Sequence, residues 1–148
     1  QADALSNLLR RYLVDANSGL KIGLYGTTIK NYCKHDEVIA YCGRFNKITG
    51  AVSHVTEREV NWSEFRFEDG RGFETCYPVG ASIFFGGPFL SEVGGLCEDH
   101  FLYYEEIEWI LRGYKYHWGM RVVEDAVVFH KEGASTGGGG LIESFVYF

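Results

Sequence analysis

The chain has 148 residues, enough for one domain with a sizeable core, and its 46% hydrophobic and 23% charged content is that of a soluble globular protein. A net charge of −6 argues against a broad nucleic-acid-binding face. No apolar run approaches the ~20 residues that a membrane-spanning helix needs.

Residues 3–14, DALSNLLRRYLV, set Leu5, Leu8, Leu9 and Tyr12 at helical spacing, with Asp3 as a cap. The helix is expected to end near Asn17-Ser18-Gly19. LKIGLYGTTI follows as a buried strand, and a helix leading into a buried strand is half of an α/β unit. Residues 37–56 read as two strands around a turn near Asn46 to Gly50. Residues 57–72 are polar, with Asp69-Gly70 as a turn signal. FETCYPVGASIFFGG is a β-rich run broken by Pro78 and Gly80, and Pro88 opens a short helix. A helix is expected from Glu105 to Arg112, with Ile107, Ile110 and Leu111 toward the core. RVVEDAVVFHKEG reads as strand, turn, strand, and residues 133–140, GASTGGGG, as a flexible loop. The pattern is one α/β domain with extra antiparallel hairpins.

The opening residues show no secretory signal pattern and read as the start of a helix rather than a native amino terminus. The expectation is that residue 1 lies inside a longer protein. Cys33, Cys42, Cys76 and Cys97 contain no CxxC pair, so a structural zinc site is not expected and reduced thiols are. Two local basic patches stand against the acidic balance: Arg10-Arg11, and Arg112 with Lys115 and Arg121.

Three segments carry chemistry. In HFLYYEEIEW, Glu105 and Glu108 share a helix face while Glu106 points elsewhere. Neighbouring carboxylates raise one another's pKa, and burial among aromatics adds to this, which suits a general base acting on a hydroxyl. The same triplet also reads as a solvated helix amino terminus, where acids meet the macrodipole. His130 ends an apolar strand before a glycine loop, and a neutral imidazole there suits a divalent metal or a backbone partner. Lys131, Ser135 and Thr136 beside it suit a phosphate. In YPVGASIFFGG, the small Gly80, Ala81 and Ser82 allow close approach by a ligand or by a crossing strand. No GxxxxGK[ST], GxGxxG between strand and helix, GxSxG, HExxH or EF-hand loop is present.

The order VGASIFF, then EDHFLYYEEIEWILRG, then DAVVFHKEGAST resembles the carboxy-terminal half of a family-2 glycosyltransferase of GT-A fold, nearest its bacterial rhamnosyltransferase-like branch. Glu105-Glu106-Ile107-Glu108 matches that family's E-D-x-D positions, and His130 matches its strand-end histidine. DALSNLLRRYLVDANSGLKIGLYGTTI resembles the helix and strand after its metal-binding D-x-D, and EVIAYCGRFNKITGAVSHV its next hairpin. The likeness covers roughly residues 2–136.

The resemblance implies part of a GT-A mixed sheet flanked by helices, with an additional antiparallel hairpin. It implies inverting transfer of a sugar from a nucleotide-sugar to a glycan or lipid-linked acceptor. Glu106 would be the base and Glu105 its neighbour. Gly80, Ala81, Tyr103, Tyr104, Arg112, Ser135 and Thr136 would meet substrate, and His130 a Mn or Mg ion or the diphosphate. A cytoplasmic location, including the membrane face where lipid-linked acceptors lie, goes with this. The sequence departs from the pattern in carrying Glu rather than Asp at 106, and in showing no nucleotide-binding half or D-x-D before residue 1. The chain is therefore expected to be an acceptor-side half, inactive and weakly donor-binding by itself, and prone to self-association through strand edges and apolar surface. The alternative is a non-catalytic carbohydrate- or protein-binding module of that fold.

Overall fold

In a computed structural model, residues 2–57, 73–99 and 104–131 are described. The sequence expectations for Tyr103, Ser135, Thr136, the Asp69-Gly70 turn and the 133–140 loop lie outside the described residues.

Helix α1 spans Ala2–Asn17, with Asp3 inside its first turn rather than capping it. Gly19 ends it with φ +69°, a left-handed backbone that glycine adopts without strain, while the Gly19 and Leu20 N–H groups return to the Ala16 and Asp15 carbonyls. Its buried stripe differs from the expected one. Ala4, Leu8 and Asp15 face inward, whereas Leu5 and Leu9 are exposed at 62% and 46%. The inward stripe follows the i, i+4 rows that lie over the sheet.

Strand β1 (Ile22–Asn31) is the spine of a four-stranded sheet. β7 (Gly119–His130) runs parallel to it along its whole length. β7 fills one edge of β1, so the antiparallel strands β2 (Val38–Ala40) and β6 (Ile83–Phe85) share the other, at Ile29–Lys30 and Leu24–Gly26 respectively. Among the described residues β6 and β7 each pair with β1 alone. A second sheet, antiparallel, has the order β4 (Val52–Val55), β3 (Cys42–Asn46), β5 (Glu74–Tyr77). The molecule is thus mixed α/β, with one mixed and one antiparallel sheet.

Two expectations are corrected here. The 37–56 region makes three strands, because Val38–Ala40 pairs with β1 while only β3 and β4 form the hairpin. The expected turn is present: the Asn46 side chain accepts the Ile48 and Thr49 N–H groups, and Gly50 has φ +74°. The break expected at Pro78 and Gly80 is present too, between β5 and β6. The Ser82 N–H closes on the Val79 carbonyl at 3.0 Å, making a turn by which the chain leaves the antiparallel sheet and enters the mixed one. Second, RVVEDAVVFH is one strand, not two. The register jumps from Thr27↔Val123 to Thr28↔Val127, so Glu124, Asp125 and Ala126 bulge while both halves stay on β1. Thr28 Oγ1 donates to the Glu124 carbonyl and Asn7 Nδ2 to that of Asp125, which holds the bulge in place.

α1 covers one face of the mixed sheet through Ala4, Leu8, Ile22, Tyr25, Val123 and Ala126. On the other face, α2 (Gly87–Val93, begun by Pro88) and α3 (Glu105–Lys115) pack with the antiparallel sheet around Leu24, Phe89, Trp109, Ile110 and Met120. Phe89 is fully buried and lies flat over Gly23, where a Cβ would fall 2.1 Å from its ring. Cys42 and Cys76 form no disulfide and are buried in this core, and Cys33 is exposed.

The end of α3 carries a strained residue. The Trp118 N–H bonds the Gly113 carbonyl and the His117 N–H that of Tyr114, the paired closure in which the residue after the cap is left-handed. That residue is His117, at φ 63°. His117→Gly is expected to raise stability by about 0.5–1 kcal/mol, read as the shift in urea midpoint at constant slope. A destabilised variant would show that the imidazole makes up for the backbone strain.

Candidate functional site

The start of α3 gathers the acids that the sequence singles out. Tyr104 precedes the helix in a left-handed conformation, φ 67°, with no side-chain cap, and its carbonyl accepts the Glu108 N–H at 2.9 Å. Non-glycine residues held in this region tend to occur where function needs a particular geometry. The Tyr104 ring packs edge-on against Phe45 of β3, with centroids 6.4 Å apart. Glu105 and Glu106 follow directly, in the first turn, where a negative charge meets the positive end of the helix.

The three glutamates have separate environments. Glu106 is buried, with 9% exposure, and its Oε2 has no hydrogen-bond partner. Burial raises its carboxyl above the ordinary glutamate value and the neighbouring Glu105 adds to this, while its own N–H and that of Gly80 favour the charged form. Glu105 is half-buried, and its Oε2 is likewise enclosed without a partner. Glu108 grips Arg112 through both oxygens, at 2.8 and 2.7 Å.

Arg112, expected at the substrate, is a clasp. Besides Glu108, its guanidinium donates to the Val93 carbonyl at 2.6 Å and the Gly95 carbonyl at 2.7 Å, and Trp109 Nε1 donates to Gly94 at 2.8 Å. These bonds fasten the end of α2 to α3. The basic patch expected from Arg112, Lys115 and Arg121 does not form, because Arg121 is 2% exposed and paired with Asp15 at 3.0 Å. In the other patch Arg11 is paired with Asp15 at 2.8 Å.

The Val79–Ser82 turn brings Gly80 against Glu106. A Cβ built on Gly80 would lie 3.2 Å from Glu106 Oε1. Ala81 follows in the same turn, exposed. Glu105, Glu106, Gly80 and Tyr104 therefore come together, from α3 and the β5–β6 turn, with Phe45 from β3 alongside. The sequence reading missed Phe45, whose only signal was its alternation within a strand.

His130 is elsewhere. It pairs with Asn31 at the end of β1, and its carbonyl accepts the Tyr32 N–H. The β5–β6 turn approaches β1 at Gly26, where Pro78 packs 3.3 Å from a built Cβ. Asn31 is five residues further on, roughly 16 Å along the strand. Among the described residues no group of three or more His, Cys, Asp or Glu could hold a metal ion. The described residues thus do not make up the cation site that the resemblance implies around His130.

A separate cleft of about 290 Å³ is lined by residues including Tyr12, Leu20, Lys21, Tyr25, Phe89 and Trp118. Its Lys21 and Trp118 are engaged. Lys21 meets Glu92 and the Tyr116 carbonyl, and Trp118 Nε1 donates to Glu92. Two carboxylate oxygens without a hydrogen-bond partner, Glu105 Oε2 and Glu106 Oε2, lie at the acid pair instead, which makes that pair the candidate site.

No family model, no curated protein and no solved structure matches the chain.

Proposed function

We propose that the chain carries the acceptor-side base of an inverting nucleotide-sugar glycosyltransferase of GT-A type, with Glu106 as that base. The observation that supports this most is the enclosed Glu106 carboxylate, one oxygen unpartnered, at a strained helix start beside a glycine turn and an aromatic pair. A carboxyl held above its ordinary value by burial takes a proton more readily than a solvated one. In the transfer, the acceptor oxygen bonds to the anomeric carbon as its proton passes to Glu106. The bond from that carbon to phosphate breaks, and its electron pair leaves with the nucleoside diphosphate. Tyr104 and Phe45 offer the apolar faces against which a sugar ring stacks.

A divalent cation would neutralise the departing diphosphate. No step here depends on it, since His130 stands apart from the acid pair. Nucleotide-sugar donors accord with a cytoplasmic location, and no helix among the described residues is long and apolar enough to cross a membrane.

The test uses the protein encoded by its complete reading frame. It is incubated with UDP-, GDP- and dTDP-sugars, Mg²⁺ or Mn²⁺ and a panel of glycan and lipid-linked acceptors, and nucleoside diphosphate release is measured. Acceptor-dependent release from one donor class is the expected result. Glycan binding without release from any donor would overturn the reading in favour of a carbohydrate-binding module.

A further inference from the structure

We infer that Gly80 is the positioning residue of the Glu106 carboxylate: its bare α-carbon leaves the room in which that group takes the orientation that accepts a proton. The catalytic meaning rests on the base reading above, whereas the structural claim stands without it. A Cβ on Gly80 would meet Glu106 Oε1 at 3.2 Å, Cδ at 3.5 Å and Oε2 at 3.9 Å, so the whole carboxylate lies against that α-carbon. Contact at 3.2 Å is too close for a methyl group to be accepted without the carboxylate moving. The Gly80 N–H dipole beside the carboxylate favours its charged form against the burial that opposes it.

The turn itself is anchored. The Ser82 N–H bonds the Val79 carbonyl, and the buried Pro78 packs on the backbone of Gly26. Gly80 is therefore the second residue of a hydrogen-bonded turn, a place where proline also fits. This permits two substitutions with different content. Gly80→Ala adds the Cβ and keeps the N–H, whereas Gly80→Pro adds the Cβ and deletes the N–H.

The experiment follows the Glu106 carboxyl carbon by ¹³C NMR across pH in the wild type and both variants, with Glu106→Gln assigning the signal. The titration midpoint is expected to rise in Gly80→Ala, as the carboxylate is pushed away from the Gly80 backbone, and to rise further in Gly80→Pro. An unchanged midpoint in Gly80→Ala overturns the inference, and that variant decides it even if Gly80→Pro does not fold. In the turnover assay, Gly80→Ala is expected to lower kcat about tenfold with KM little changed, and to move the acid limb of the pH profile upward with the NMR midpoint. Absence of turnover in the wild type would defeat the glycosyltransferase reading while leaving the NMR result to decide the role of Gly80.

Discussion

Glu106→Gln lowers nucleotide-sugar turnover by at least about 100-fold while leaving donor affinity nearly unchanged, because the amide occupies the same space and cannot take the acceptor proton. Steady-state kinetics of the protein from its complete reading frame checks this, and unchanged kcat would remove Glu106 from the role of base. The same substitution raises stability at neutral pH by about 1 kcal/mol, or roughly 2–4 °C in Tm, since it replaces a buried charge that has an unpartnered oxygen. The folded-state pKa lies above the ordinary value, so folding favours the protonated group. The stabilisation of the protonated wild type is complete below the ordinary glutamate range and is lost as pH rises through the raised value. The advantage of the Gln variant is accordingly present at neutral pH and fades as pH falls toward the ordinary carboxylate range. Thermal melts of both proteins across pH test the sign. A variant that gains stability as it loses turnover is the mark of a group kept for chemistry at the expense of folding.

Asp15→Ala is expected to destabilise the fold by about 3–5 kcal/mol. Asp15 is 1% exposed in α1 and pairs with Arg121 of β7, itself 2% exposed, at 3.0 Å, and with Arg11 at 2.8 Å. Removing the carboxylate leaves the Arg121 guanidinium charged in a site closed to water. Burial of the Tyr25 hydroxyl, together with the nearby Asp15 carboxylate, pushes its ionisation well above the ordinary tyrosine range. Urea unfolding gives the measurement, and a loss under about 1 kcal/mol would show that the pair is not holding α1 to the sheet. The double change Asp15→Leu with Arg121→Met is expected to lose less than Asp15→Ala alone, because it removes both charges and keeps the volume.

Local signals in the chain were readable to the extent that their causes are local. Gly19 and Gly50 end a helix and a hairpin turn through their own backbone freedom, and Pro88 opens α2 for the same kind of reason. Ile107 and Ile110 face the core as their helical spacing required. The adjacency of Tyr104, Glu105 and Glu106 was likewise a matter of sequence order. Where the cause lay at a distance, reading failed. Leu5, Leu8 and Leu9 are alike in composition, and the sheet's placement beneath α1 buries only Leu8. Arg121 looked like part of a surface patch until its partner, far away in the chain, was in view.

The placement of the helices, the Asn46–Gly50 turn and the acid triplet thus follow from residue order, because periodicity, caps and turns act over a few residues. The distinct roles of the three glutamates follow from packing. Burial closes over Glu106, Arg112 claims Glu108, and the β5–β6 turn delivers the N–H of Gly80 to a carboxylate on another element. Long-range contact sets the dielectric and the hydrogen-bond partners of a carboxylate, and these quantities, not its neighbours in sequence, separate a proton acceptor from a brace.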